Sequence, residues 1–307
     1  MIKCKQLEAR FGGKGIVFGG PRSISAVLNS PAGMKVEIQQ GQFRTVVVTA
    51  ENEINANELY SVFSKLERLL MMFDGRFFPL SELKFTGSVE SSDNQLLAYA
   101  HHCCASRLSY FESADFCLCT ANKLVDFYNI FSADLYQRWE EILDELDIVH
   151  QMYLYSSCVS GQPVDIKCSF LIELVEPLVE IVKEQKHYFS SLTPGEKGPT
   201  LKNRLDALIA KFGEDVFGAE ISADYNAFLQ VLVNSRVRIM HIKRNQRGIY
   251  FDGLESVLYS AKMSLLYRKI IFVLLGIEPG EYQENLKKCI QYWDQWNDVL
   301  SKLLCKL

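Results

Sequence analysis

The stretch YNAFLQVLVNSRVRIMHIKRNQRGIY, residues Tyr225 to Tyr250, decides how the second half of the chain folds. It is an apolar run at helical period that turns basic partway along. Ser222 stands before it as an N-cap and Gly248 closes it. At 100° per residue, Phe228, Val231, Leu232, Ser235, Ile239 and Ile242 fall on one stripe, which predicts a core-facing side. Val233, Val237 and Met240 make a second apolar patch on the opposite side. Arg236 and His241 flank that patch, roughly 140° apart. A helix apolar on two sides must be covered on both, by another helix of the chain or by a second copy. A second copy would bring two Arg/His pairs together across a symmetric interface.

Working outward, 307 residues suggest two domains at about 150 residues each. The apolar fraction is that of a globular protein with material for a core. The net charge of −4 gives no global nucleic-acid signal. Locally, however, Arg236, Arg238, Lys243, Arg244 and Arg247 stand together with no acid before Asp252. A basic patch on an acidic chain favours a polyanion such as RNA, although cations at a helix end also complement its dipole. There is no signal-peptide pattern and no apolar run of spanning length, so a cytoplasmic protein without membrane association is expected. The nine cysteines lack disulfide-framework spacing and read as reduced thiols, mostly small buried residues.

Residues 1–158 read as an α+β domain with a largely antiparallel sheet, and residues 164–307 as an all-α antiparallel helical bundle. Strands are expected at Lys35–Gln39 and Arg44–Thr49, then near Leu83–Val89, Gln95–His101 and Asp115–Thr120. Helices are expected at Asn57–Phe73, stopped by Gly75, and at Ser132–Val149, with Trp139, Ile142, Leu143 and Leu146 inward. Gly12-Gly13-Lys14-Gly15 and Gly19-Gly20-Pro21-Arg22 fail the phosphate-loop pattern, since no Gly-Lys is followed by Ser or Thr at the required spacing. They read as hairpin turns. His101-His102-Cys103-Cys104, with Cys117 and Cys119, is the tempting metal cluster. Neighbours on a strand point to opposite faces, so no metal and no cofactor is assigned.

Residues 156–163 read as a linker. Asp165 caps a helix toward Tyr188, with Phe170, Leu171, Leu174, Leu178 and Ile181 inside, and Pro177 kinks it or splits it in two. Glu173, Glu176 and Glu180 lie close on it and are candidates to pair with the basic patch or to orient His241. After a loop at 191–200 come helices at Leu201–Phe212, across the quoted stretch, at Leu254–Leu275 and at Tyr282–Leu304. Counted from Asp165, that gives four to six helices.

Asn234-Ser235-Arg236-Val237-Arg238-Ile239-Met240-His241 resembles the R-x4-6-H motif of the HEPN superfamily, all-helical proteins that dimerise. A long helix precedes the motif, a basic turn follows, and another long amphipathic helix ends in Leu274-Leu275-Gly276-Ile277. That order is similar to the HEPN domains of ApeA-like bacterial defence proteins, which carry a strand-rich N-terminal domain. The resemblance covers about the last half of the chain. It implies a homodimer in which Arg and His of both protomers line one cleft, and many members are metal-independent ribonucleases. In this chain the pair is Arg236 and His241.

The chemistry suits those residue types. RNA carries its own nucleophile, the 2′-OH, and cleavage builds charge on the phosphoryl oxygens. Histidine, with a pKa near neutrality, suits proton transfer. The arginine fork donates two hydrogen bonds and stays charged. So Arg236 reads as a phosphate clamp and His241 as general acid/base, with Asn234 placed to orient His241. Arg238, Lys243, Arg244 and Arg247 read as RNA phosphate-positioning groups. The expectation is an endoribonuclease of an antiphage or toxin–antitoxin system, with an antitoxin or other regulatory partner and an N-terminal domain that senses or restrains it. The second reading is a non-catalytic HEPN module binding RNA, nucleotide or a protein, because Val237 follows Arg236 where the family commonly has a polar residue. A small-molecule enzyme is disfavoured by the lack of a nucleophile elbow or dinucleotide loop in the N-terminal half.

Overall fold

The computed structural model describes residues 2–12, 18–30, 32–75, 78–111, 123–158, 162–184, 200–242 and 247–307. They form two compact units, Met1–Leu143 and Asp144–Leu307. The division falls inside one helix, α4 (Ala133–Cys158), rather than at the linker expected from composition.

The first unit is built on an antiparallel sheet of β1 (Lys3–Phe11), β2 (Arg22–Val27), β3 (Lys35–Gln40), β4 (Arg44–Asn55) and β5 (Leu80–Thr86), in the order β2-β3-β4-β1-β5. Period-two alternation selects its buried face: Leu7 stands opposite both Val48 and Phe85, and Ala9 opposite both Val46 and Leu83. The helix α1 (Ala56–Asp74) buries the face predicted from its sequence, Leu59 through Phe73. Asn55 caps it by accepting from the Asn57 amide, and Gly75 ends it at φ 65°, where only glycine is free of strain.

The strand expected at Gln95–His101 is instead part of a helix, α2 (Asp93–Phe111). Its start is a capping box that the alternation obscured: the Gln95 amide donates to Ser92 Oγ, and Ser92 N–H to Gln95 Oε1. The His101–Cys104 run therefore winds round a helix, with Cys103 buried and His101 and His102 exposed. Cys117, Cys119 and the strand expected at Asp115–Thr120 lie outside the described residues. A short helix, α3 (Phe127–Ile130), leads into α4, whose Trp139 indole N–H donates to Lys65 O at 2.7 Å.

Two arginines are buried in this unit with carboxylate partners. Arg107 grips Glu67 through Nε and Nη2 at 2.9 and 2.6 Å and gives a further bond to Phe78 O. Arg44 pairs with Asp74, its guanidinium 5.1 Å from the ring centres of both Phe18 and Phe78.

The second unit holds the rest of α4 and seven further helices among the described residues, one more than the upper expectation. They are α5 (Val164–Glu173), α6 (Val175–Glu184), α7 (Leu201–Phe212), α8 (Gly218–Met240), α9 (Leu254–Leu274), α10 (Pro279–Asp294) and α11 (Asn297–Leu304). The expected final helix splits near Trp296, and Pro279 starts α10 at a first-turn position, where its missing N–H costs nothing. Asp165 does not cap α5. Its Oδ1 accepts from the Gly253 amide and the Ser256 hydroxyl, so it serves the start of α9.

Removing one partner of a buried ion pair strands the other charge. Arg107→Met should cost about 3–5 kcal/mol, read as faster hydrogen exchange of the β1 and β5 amides. The double change Glu67→Met/Arg107→Met should recover most of it. Burial pushes the Cys4 and Cys103 thiols up to about 11 and Cys168 up to about 12. Near pH 8 a thiol at about 11 is only about 0.1 % thiolate, the reactive form. Iodoacetamide at that pH should therefore label exposed Cys305 well before these three.

Candidate functional site

The candidate site lies where the end of α5 meets the last turn of α8. Pro177 positions the first of these. Its ring would collide with the carbonyl four residues back, that of Glu173, so a continuous helix cannot form there. The chain breaks at Leu174, and Pro177 falls in the first turn of α6. Glu173 thus ends α5, a position where the helix dipole disfavours a carboxylate.

α8 arrives in two pieces. Asp224 interrupts it with φ −161° and ψ 99°, and its Oδ1 accepts from the Ala227 amide. Asp224, two residues beyond the expected Ser222, therefore caps the second piece, while the Ser222 hydroxyl donates to Gly218 O. Phe228, Leu229, Val231, Leu232 and Ser235 are buried, and Val233, Val237 and Met240 are half-buried in the single chain. The helix stops at Met240. Ile242 follows at φ 48° and is 84 % exposed, so the last member of the expected core stripe points outward.

The guanidinium of Arg236 bridges these two helix ends. Nε and Nη2 donate to the two oxygens of Glu173, with Nη2 to Oε1 at 2.8 Å. The remaining arm, Nη1, lies 2.9 Å from His241 Nε2. An arginine has only N–H groups, so it must donate, and Nε2 of His241 is the acceptor with the ring proton on Nδ1. Within a continuous helix the two residues would diverge; the stop at Met240 lets His241 turn back. Ser169, one turn before Glu173, donates to Arg236 O at 3.4 Å, so α5 holds both ends of this residue. The Glu173 hydrogen bond raises the Arg236 pKa above the ordinary arginine value, against the opposing effect of burial.

The segment after the motif folds back along α8. Asn234 Nδ2 donates to Ile249 O at 2.9 Å, and the Phe251 amide donates to Ser235 Oγ at 2.8 Å. Arg238 stacks 4.2 Å from the Tyr250 ring centre and reaches Asp252 at 3.4 Å. Gly248, at φ 95°, passes so close that a Cβ there would lie 2.9 Å from Asn234 Nδ2.

Of the residues expected at the site, Arg236 and His241 are therefore in contact. Asn234 hydrogen-bonds to Ile249 O and to Gln230, and the imidazole contacts Arg236 Nη1. Arg238 is paired, Arg247 is exposed, and Lys243 and Arg244 lie outside the described residues. Glu173 is the addition. It was legible as one of three nearby carboxylates, and the signal singling it out is its spacing to Pro177.

Residues 160–281 match the family described as Apea-like HEPN. The match supports an Apea-like HEPN domain in the C-terminal region of the chain, in agreement with its helical fold. No curated protein and no solved structure matches the chain. No helix among the described residues is long and apolar enough to cross a membrane.

Replacing Ser235 by Ala would leave the buried Phe251 amide without its acceptor. The expected loss is about 1–3 kcal/mol, measured as a lower urea midpoint, together with faster proteolysis beside Arg247.

Proposed function

We propose that this protein is a metal-independent endoribonuclease whose site is Arg236 and His241, with Glu173 as positioning residue. The observation that carries the reading is the contact of the Arg236 Nη1 arm with a neutral His241 whose Nε2 is the proton acceptor. A base needs such a lone pair. When RNA enters, its phosphoryl oxygens take the Nη1 arm, and His241 Nε2 is released to accept the 2′-OH proton. Glu173 keeps the Nε edge of the guanidinium occupied, so the opposite edge always faces substrate.

A second copy completes the site in this reading. It covers the half-buried Val233, Val237 and Met240 and brings a second His241, so one histidine serves as base and its mate as acid. Arg238, Lys243, Arg244 and Arg247 would steer the RNA backbone. The context is a cytoplasmic antiphage or toxin–antitoxin system, with an antitoxin or regulatory partner restraining the nuclease and the N-terminal unit sensing the trigger. One observation favours the alternative, a non-catalytic HEPN module that binds RNA, nucleotide or a protein: Glu173 and His241 already engage three of the guanidinium nitrogens.

Incubation of the dimer with tRNA and total RNA decides between them. His241→Ala should lower cleavage by about 10²–10⁴-fold with the fold intact. Glu173→Ala should lower kcat while leaving KM near its original value, since it orients the clamp rather than touching RNA. Salt-dependent RNA binding with no cleavage, unchanged by His241→Ala, would establish the binding module instead.

A further inference from the structure

α8 ends in a way its sequence does not favour. Past a helix end the left-handed position usually belongs to glycine, which has no Cβ to collide with the carbonyl. Here Ile242 occupies it, at φ 48°. Among the described residues Ile242 is the one non-glycine residue with a positive φ, and for a β-branched side chain that conformation is an outlier. Strain of this kind persists where neighbouring structure over-determines it. The packing of Ile242 itself is not the cause, because the residue is 84 % exposed.

The consequence of the turn lies one residue back. On a continuous helix Arg236 and His241 point about 140° apart. The His241 amide still donates to Val237 O at 3.2 Å, but the Ile242 amide steps back to Ile239 O, also at 3.2 Å, which tightens the end. His241 is left at φ −102° and ψ 7°, in the bridge region rather than the helical one. From there Nε2 comes to 2.9 Å from Arg236 Nη1, on a guanidinium already held by Glu173. A helix continued through Ile242 would put that residue on the stripe of Ser235 and Ile239 and swing His241 away from the guanidinium. The left-handed turn excludes that continuation.

We propose that Ile242 is a positioning residue of the Arg/His site: its left-handed turn presents His241 to Arg236, and the His241–Arg236 hydrogen bond offsets the strain of the turn. The proposal rests on the reading of this pair as the nuclease centre. It assigns the role to the backbone of Ile242 and not to its apolar side chain, so glycine should hold the turn better than isoleucine does.

The test uses the full chain with Ile242→Gly, with Ile242→Pro, and with Ile242→Gly added to His241→Ala. Imidazole nitrogen NMR reports which ring nitrogen of His241 carries the proton, and hydrogen exchange reports protection of the amide at position 241. Ile242→Gly should keep the proton on Nδ1 and raise that protection by about three-fold, the relief of strain less the extra freedom of glycine. In the His241→Ala background the same change should bring no gain, because the bond that holds the turn is gone. A helix end with a purely structural role would gain equally in both backgrounds. Ile242→Pro forbids a positive φ and pushes His241 out of the bridge region. It should abolish the Nδ1–H placement and lower kcat on tRNA toward the His241→Ala value, with KM near its original value. Lower protection in Ile242→Gly, an equal gain in both backgrounds, or an Nδ1–H placement that survives proline overturns the proposal. The expected NMR and exchange results without RNA cleavage by any form, wild type included, would remove the nuclease reading and leave the role of the turn in place.

Discussion

The ion pair between Glu173 and Arg236 fixes the geometry on which the candidate site depends. A carboxylate at the last position of α5 is poorly placed with respect to the helix dipole, and it is kept there by a guanidinium that reaches across from α8. The arrangement is bidentate, so it sets the plane of the fork as well as its position. That plane aims the third nitrogen at His241. Without Glu173 the arginine side chain would have several rotamers and the imidazole no defined partner.

The same logic of charge held by charge recurs deeper in the second unit. Lys262 and Glu220 are fully buried and bonded at 2.6 Å, and Asp294 meets the same ammonium at 2.8 Å. Tyr259 donates to Glu220 at 2.8 Å, and its ring stacks on Phe251, 4.0 Å between centres. Burial beside Glu220 raises the Tyr259 pKa, so the hydroxyl stays a donor. Phe251 belongs to the segment returning from the motif, and Glu220 to the piece of α8 before its break at Asp224. The network therefore pins both flanks of the Arg/His turn to α9. Buried ion pairs add little net stability over an apolar core, but they tolerate few alternative arrangements, which is what a turn bearing an exposed His241 requires.

How much of this was legible follows from which forces are local. The α1 face, the α7 limits and the β3 and β4 strands were readable because hydrophobic period and capping act over a few residues. The break beyond Glu173 was readable in kind, since proline geometry is local too. α2 was misread because Leu96 to Ala100 alternates weakly while the Ser92/Gln95 capping box sets the true start. The contact of Asn234 with the returning segment was not legible, for a different reason. Its partner, Ile249 O, is reached only because the chain reverses after His241, and no helical projection contains that reversal. Glu173 needed a contact across 63 positions of sequence, which periodicity cannot supply.

The basic cluster that first suggested a polyanion also changes meaning. In sequence, its arginines precede the first acid by several residues, which reads as an open positive surface. In the fold, Arg236 is matched by Glu173 and Arg238 by Asp252 and the Tyr250 ring. A polyanion approaching Arg236 must compete with the Glu173 carboxylate already in place, and the Nη1 edge beside His241 is the part of that guanidinium that yields without breaking the bidentate pair. At Arg236, pairing thus leaves the guanidinium one free direction rather than a diffuse positive surface, and under the proposed function that is the side from which a phosphate would be bound, next to the imidazole.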